Sequence, residues 1–274
     1  MSDQTYVLGN DPVELERLDR QAANIERPSR MILQAAGIGR AERVLDLGTG
    51  LGHVARMAGE LVGPQGAVVG VDESADALAV ARGRAEAAGE QHVSFVAGDV
   101  RTVRAPEPFD VITGRLILFH LADPVAIVRH HRGNVRANGK FVAIDFDIGT
   151  CRAEPSLPII EQIFEWVMRA FAAAGASPRI GARLGPILRQ AGLQEVTTFG
   201  VQGYIQPGDP AAGHLLGGVV RSLAGAIVAH GIATHEQLGL DTLAVRISDA
   251  LARADAVLLT PTVVGAWGRS PAAD

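Results

Sequence analysis

Cysteine is nearly missing: Cys151 is the only one in 274 residues. A lone thiol cannot close an intrachain disulfide, so a reducing compartment and a packing role are expected for it. Lysine is equally scarce, with Lys140 alone among 25 basic side chains. The formal net charge is −5 and there is no basic block. Phosphate neutralisation needs clustered cations, so nucleic acid is disfavoured as the main partner. Repeats, low-complexity tracts and obvious linkers are also lacking. The most apolar long stretch, Leu215–Ala229, is interrupted by Arg221 and is short for a bilayer span. The first residues carry no basic-then-apolar leader pattern. A soluble, cytoplasmic protein with no membrane contact is the expectation. Histidines and acids do not fall at zinc-ligand spacing, and with one cysteine no metal site is expected.

What is present is an apolar chain, 47% hydrophobic, long enough for a substantial core. Its organising stretch is Arg43–His53, RVLDLGTGLGH. Val44, Leu45 and Leu47 read as a strand buried on both faces. Gly48, Gly50 and Gly52 then alternate before a helix begins near Val54. Glycines so spaced allow a sharp strand-to-helix turn and close approach of backbone to a ligand, and the helix-opening N–H groups offer a partly positive site. A dinucleotide fingerprint, G-x-G-x-x-G, would need glycine where His53 stands. A second strand, Ala67–Val71, ends in Asp72 and Glu73, about 20 residues past the last glycine, where a parallel-sheet nucleotide site places an acid on ribose hydroxyls.

The ordered series VLDLGTGLGHVA, VVGVDES, FVAGDV and FDVITGRLILFHLADP resembles a class I S-adenosylmethionine-dependent methyltransferase over Arg43–Phe146. The resemblance implies a doubly wound, Rossmann-like α/β sheet of seven strands with the last antiparallel. It implies that Asp46, Gly48, Gly50 and Gly52 hold the methionine portion of the cofactor. Asp72 and Glu73 would take the ribose, Asp99 the adenine amino group, and the Val100 backbone a ring nitrogen. Arg115 would border cofactor or acceptor. N-terminal helices in residues 1–37 would form a lid, from which Tyr6, Arg17 and Gln21 face the site. After the fourth strand the chain reads Thr-Gly-Arg-Leu. This is neither the Asn/Asp/Ser-Pro-Pro-aromatic motif of amino-directed nucleic-acid methyltransferases nor the metal-ligating aspartate of catechol-type enzymes. His120, in a helical turn beyond that strand, is the candidate general base for a hydroxyl acceptor.

The remaining pattern predicts local structure. Asp11 and Pro12 read as a helix start, Pro28 as a break, and Met31 as the start of a second helix ending at Gly37. Helices are expected at Val54–Leu61, at Ala75–Ala88 capped by Ser74, and after Asp123-Pro124, with His130 and His131 at the surface. Strands are expected at Val93–Ala97, Phe109–Thr113 and, after a turn at Asn138-Gly139, Lys140–Phe146. Asp145 and Asp147 share a strand face and suit an acceptor, an amine, a cation or loop backbone. In Leu157–Ala174, Ile160, Ile163, Phe164, Val167, Met168 and Phe171 form an apolar stripe, with Trp166 away from its centre. A helix Leu184–Ala191, a strand Gln194–Ile205, helices around Leu215–Ala229 and His235–Ala254, a final strand Val257–Trp267 and a tail Pro271–Asp274 complete the chain. One domain is expected: lid 1–37, cofactor core 38–150, and a substrate-side half 151–274. The helical insertion 209–256 in that half suits substrate selection or contact between two copies.

The expected activity is methyl transfer to a small-molecule acceptor, with the atom (O, N or C) open, in a natural-product type of chemistry. Three other readings remain. The same fold and cofactor can support a rearrangement such as a cyclisation. A nicotinamide oxidoreductase is weakened by His53. A non-enzymatic ligand-binding subunit would keep the cofactor residues without turnover.

Overall fold

The computed structural model describes residues 12–272; the side chains of residues 12–18, 20 and 21 lie outside that description. Tyr6, the Asp11 cap, the side chains of Arg17 and Gln21, and the last two tail residues therefore fall outside the described residues.

The elements in order are α1 Pro12–Ala35, β1 Arg43–Leu47, α2 His53–Val62, β2 Ala67–Asp72, α3 Ala75–Ala87, β3 Val93–Ala97 and β4 Phe109–Arg115. Next come α4 Pro124–His131, β5 Val135–Asp147, β6 Arg152–Glu154, α5 Pro158–Ala173, α6 Ile180–Gln190, β7 Gln194–Val201 and β8 Tyr204–Ile205. The chain closes with α7 Ala211–Ala229, α8 His235–Leu238, α9 Leu240–Arg253, β9 Val257–Leu259 and β10 Thr262–Arg269. A seven-stranded sheet has the order β3-β2-β1-β4-β5-β10-β7, with β10 antiparallel. The β1 register sets Asp46 beside Gly70 of β2 and Thr113 of β4. A three-stranded sheet, β6-β9-β8, is separate from it.

The chain divides into two compact units. One comprises Met1–Asp145, Ala182–Gly200 and Val263–Asp274; the other comprises Phe146–Gly181 and Val201–Thr262. The first contains the long sheet, whose Val44, Leu45 and Leu47 are almost wholly shielded. In the second, α7 packs on α9 and α5. Glycine permits the α7–α9 approach: a Cβ at Gly213 would lie 2.1 Å from the Ala244 carbonyl oxygen.

Several expectations are corrected. Pro28 does not end a helix; α1 runs through it. The missing N–H costs about 3 kcal/mol, but Ile32 and Leu33, both fully buried, each return roughly 1.5–3 kcal/mol. Ala22, Ile25, Ser29 and Ala36 continue the buried face on both sides of the proline. Likewise α6 starts earlier than expected and carries Pro186 inside it. Asn138-Gly139 is not a turn before a strand but a kink within the continuous β5, with Asn138 at φ 59° and a register shift opposite. The strand expected at Gln194–Ile205 is two strands in two sheets, separated at Gln202-Gly203. There the Gln202 amide donates to the carbonyls of Thr150 and Thr260, at 3.2 and 2.9 Å. The final strand is also split, because Pro261 brings no N–H to a ladder.

Trp166 belongs to the buried face of α5 with Ile160, Ile163, Val167 and Ala170, while Phe164, Met168 and Phe171 are only half-buried. The segment around Leu215 is longer than it reads. At 19 residues, α7 is long and apolar enough to cross a membrane by length and composition, although 44% of that window is buried inside the protein. The second expected helix of the insertion is two, parted at Gly239 with φ 52°.

The tightest glycine in the first unit is Gly265 of β10, where a Cβ would sit 2.1 Å from Ile32 Cγ2. Gly265→Ala is expected to destabilise the protein by at least about 2 kcal/mol through overpacking in urea denaturation. Gly225→Ala on α7, with nothing within 4 Å of the added methyl, is expected to be neutral or stabilising by up to about 1 kcal/mol.

Candidate functional site

Asp46 reaches the carboxyl end of β1 with only 1% of its surface exposed. Its position is built by a glycine on the neighbouring strand. A Cβ at Gly70 would collide with Thr49 Oγ1 at 2.6 Å and with Phe95 at 2.7 Å. The bare backbone there lets Thr49 fold back and donate its hydroxyl to Asp46 Oδ2 at 2.7 Å. The Ala55 amide of α2 also donates to Asp46, so this carboxylate caps a helix whose N-cap, Gly52, has no side chain to do so. Burial pushes the Asp46 carboxyl up to about 7, against the Thr49 hydrogen bond and the field of Arg115. Arg115, at the end of β4, is pulled down to about 10 by burial, with Asp46 and Glu26 opposing. Its Nη1 donates to Ser29 Oγ of α1 at 3.2 Å, and that hydroxyl donates onward to the Ile25 carbonyl at 2.6 Å.

The turn after β1 has all three glycines in the left-handed region, Gly48 at φ 62°, Gly50 at 52° and Gly52 at 79°. They are not equivalent. Added methyls at Gly48 and Gly52 would strike Ile117 at 2.7 Å and Phe95 at 2.9 Å, whereas Gly50 would meet nothing within 4 Å. Packing closes the two outer positions and leaves the middle one facing open space. The Gly50 N–H donates to Asp72 Oδ2 at 2.8 Å, and the other oxygen of Asp72 accepts from Ser74 N at 2.9 Å. Ser74 caps α3 as expected, accepting from Ala77 N.

Beyond β3, Asp99 accepts from the Arg101 amide at 2.7 Å and from its guanidinium at 2.8 Å. Arg101 holds the Asp99 carboxyl below the usual range, mainly through that hydrogen bond. The exposed Glu73 meets the same Arg101 at 3.3 Å. Val100 is buried, and its carbonyl accepts from His131 Nε2 at 2.7 Å. His131, expected at the surface, is wholly buried, and desolvation pulls it down to about 4.

His120 lies on the turn Leu118–His120, edge-on to Phe119 at 5.1 Å. Asp145, also nearly inaccessible, accepts from the Phe119 amide at 3.1 Å and so anchors that turn. Asp147 accepts from Gly149 N at 3.0 Å and caps the turn Ile148–Thr150. Each of these two acids thus accepts from a loop amide. Among the described residues no three His, Cys, Asp or Glu side chains group as metal ligands. The Cys151 thiol, pushed up to about 12 by burial, stays protonated.

Thr113, fully buried beside Asp46 in the register, has a hydroxyl with no partner among the described residues. Sequence reasoning missed Asp19. Its Oδ1 meets His53 Nε2 at 2.8 Å, and it takes two hydrogen bonds from Arg84, at 2.8 and 2.6 Å. Histidine in place of a fingerprint glycine was the one available signal.

The buried Asp46 generates a pH prediction. Its folded-state pKa lies above the unfolded value of about 4, so the native state holds the extra proton between the two. The stability it contributes is full below the unfolded pKa and lost as pH rises towards 7. Urea denaturation from pH 4.5 to 7.5 is expected to show wild type losing stability relative to Asp46→Asn, by at most about 1.4 kcal/mol per pH unit.

Known proteins similar to this chain are methyltransferases or share its fold. Demethylmenaquinone methyltransferase of Shouchella clausii is 27% identical over 106 residues, which cover 38% of this chain and 43% of that protein. The match thus spans less than half the length of that curated relative. The YcgJ protein of Bacillus subtilis superposes with a TM-score of 0.59 at 19% identity, covering 90% of this chain and 100% of that one. Phosphoethanolamine N-methyltransferase 2 of Haemonchus contortus, solved with S-adenosyl-L-methionine, gives 0.55 at 18% identity, covering 90% and 53%. Residues 38–192, more than half of the sequence, match the family model described as a methyltransferase domain, and the chain belongs to that family.

Proposed function

We propose that this enzyme methylates a small organic molecule, with the cofactor seated on the Gly48–Gly52 turn. The observation that carries the reading is Gly50. It has a left-handed backbone, open space where a side chain would be, and an N–H already oriented by an acid at the end of the next strand. That cradle fits a nucleoside bearing an amino-acid tail. Asp72 takes the ribose hydroxyls. Asp46, capped and buried, shapes the turn beside the methionine portion, with Gly48 and Gly52 allowing close approach. Arg115 supplies a cation at the end of β4, and Asp99 with Val100 receives the adenine. Bound there, S-adenosylmethionine supplies a methyl carbon made electrophilic by its sulfonium. The protein's part is alignment of an acceptor and exclusion of water. His120, on the turn beyond β4, is assigned the removal of a proton when the acceptor is a hydroxyl.

A small acceptor is supported by Thr113-Gly114-Arg115-Leu116 standing where a nucleic-acid enzyme carries its base-recognition motif. The net charge of −5 agrees. The names of the relatives point the same way, to demethylmenaquinone in one case and phosphoethanolamine in another.

Gly50→Ala is expected to weaken S-adenosylhomocysteine binding at least tenfold by calorimetry, while costing only about 1–2 kcal/mol of stability from its left-handed backbone. Unchanged affinity would remove the cradle from the site. With a hydroxyl acceptor, identified by a mass gain of one methylene unit, His120→Ala is expected to lower kcat by about a hundredfold or more. Its KM for the cofactor should stay near wild type; equal kcat values would strip His120 of the role.

A further inference from the structure

The loop after β3 is held by four hydrogen bonds to the end of α4 and the turn Arg132–Asn134 that follows it. His131 Nε2 donates to the Val100 carbonyl at 2.7 Å, and His130 Nε2 to the Val103 carbonyl at 3.0 Å. Asn134 Nδ2 donates to the same Val103 oxygen at 3.0 Å, and its Oδ1 accepts from Ala105 N at 3.1 Å. Because a carbonyl only accepts, His131 carries its proton on Nε2. Its Nδ1 is then an acceptor, and it faces Asn134 Nδ2 at 3.0 Å. The two Asn134 protons are thereby used, one on His131 and one on Val103. Tautomer and amide orientation are both determined, with no polar atom of His131 or Asn134 left over.

Both side chains are at most 2% exposed, where an apolar residue would bury surface without needing partners. A buried polar pair is high-stakes: satisfied, it rigidifies what it holds. What it holds is the backbone of Val100. The carbonyl of Val100 is taken, whereas its N–H has no acceptor among the described residues. Desolvation keeps His131 neutral at physiological pH, so the arrangement persists there.

We propose that His131, braced by Asn134, is a positioning residue for cofactor recognition: by holding the Val100 carbonyl it sets the orientation in which the Val100 N–H meets a ring nitrogen of adenine. This rests on the assignment of Asp99 and Val100 to the adenine.

The test compares S-adenosylhomocysteine with S-inosylhomocysteine by calorimetry. In the inosine base N1 carries a proton and cannot accept from an N–H. Wild type is expected to prefer the adenosine compound by at least tenfold. His131→Leu is expected to shrink that ratio by about tenfold, the worth of one lost hydrogen bond, while binding the inosine compound within about twofold of wild type. His131→Gln, whose amide nitrogen reaches the position of Nε2, should restore most of the ratio. Asn134→Ala, which removes the brace, should give a smaller change of the same kind, and it carries the test if His131→Leu does not fold. A ratio unchanged in both His131→Leu and Asn134→Ala, whatever their thermal stability, overturns the proposal by reducing the pair to structural support. So does failure of His131→Gln to restore the ratio. Wild-type binding without discrimination removes the adenine from Val100 altogether, while loss of binding to both compounds in wild type sinks the cofactor site itself.

Discussion

One carboxylate joins the ends of two parallel strands. Asp72, closing β2, takes the Gly50 amide on one oxygen and the Ser74 amide on the other. Through the first bond it steadies a turn with glycines in left-handed conformation at alternate positions. Through the second it sets the entry to α3. Each glycine in such a turn loses more conformational freedom on folding than any other residue would, and a charge-assisted bond is among the stronger local compensations. Asp46 works on the opposite end of the same turn, capping α2 in place of the glycine that cannot. Placing two carboxylates so near each other has an electrostatic cost, and the field of Asp72 adds to the burial that raises the Asp46 pKa.

The other polar contacts around the turn matter for geometry more than for stability. Asp19 pairs with Arg84 and His53, and Arg30 with Glu60, yet these side chains are roughly one-third to one-half exposed. Exposed pairs contribute about 0–1 kcal/mol each. The apolar face of α1, with Ile32 and Leu33 fully shielded, outweighs them. The ion pairs select where α1 lies along α2 and α3; the apolar face keeps it there.

Much of this was legible in the residues. Strands β1 to β4, the glycine turn, the Ser74 cap and the Asp123-Pro124 helix start are local signals, and local chemistry decided them. What was misread depends on distant neighbours. Pro28 looks like a break until the buried face continuing to Ala36 is known. Trp166 looks peripheral on a helical wheel, yet Ile163 and Ala170 lie three before and four after it on the same buried face. His131 looks like one of two surface histidines because its partners, Val100 and Asn134, are assembled only by the fold. The short strand β6 gave no periodic signal, since three residues are too few to alternate, and β8 and β9 were read as the ends of longer strands. The residues alone set Gly50 in the turn and Asp72 at the end of its strand, but that the two bond each other is a fact of the sheet register.

Strand β10 lies between β5 and β7 in the long sheet, although it is the last strand of the chain. On the ribosome, β7 therefore emerges long before the neighbour that joins it to the rest of the sheet. Until β10 arrives, β5 exposes an unpaired edge of the kind that recruits foreign strands. The Phe146–Gly181 and Val201–Thr262 segments fill that interval, and their helices are rich in local contacts, which form quickly. Sheet closure thus waits on β10, and shielding of nascent chains by chaperones should matter most while residues just short of Thr262 are leaving the exit tunnel.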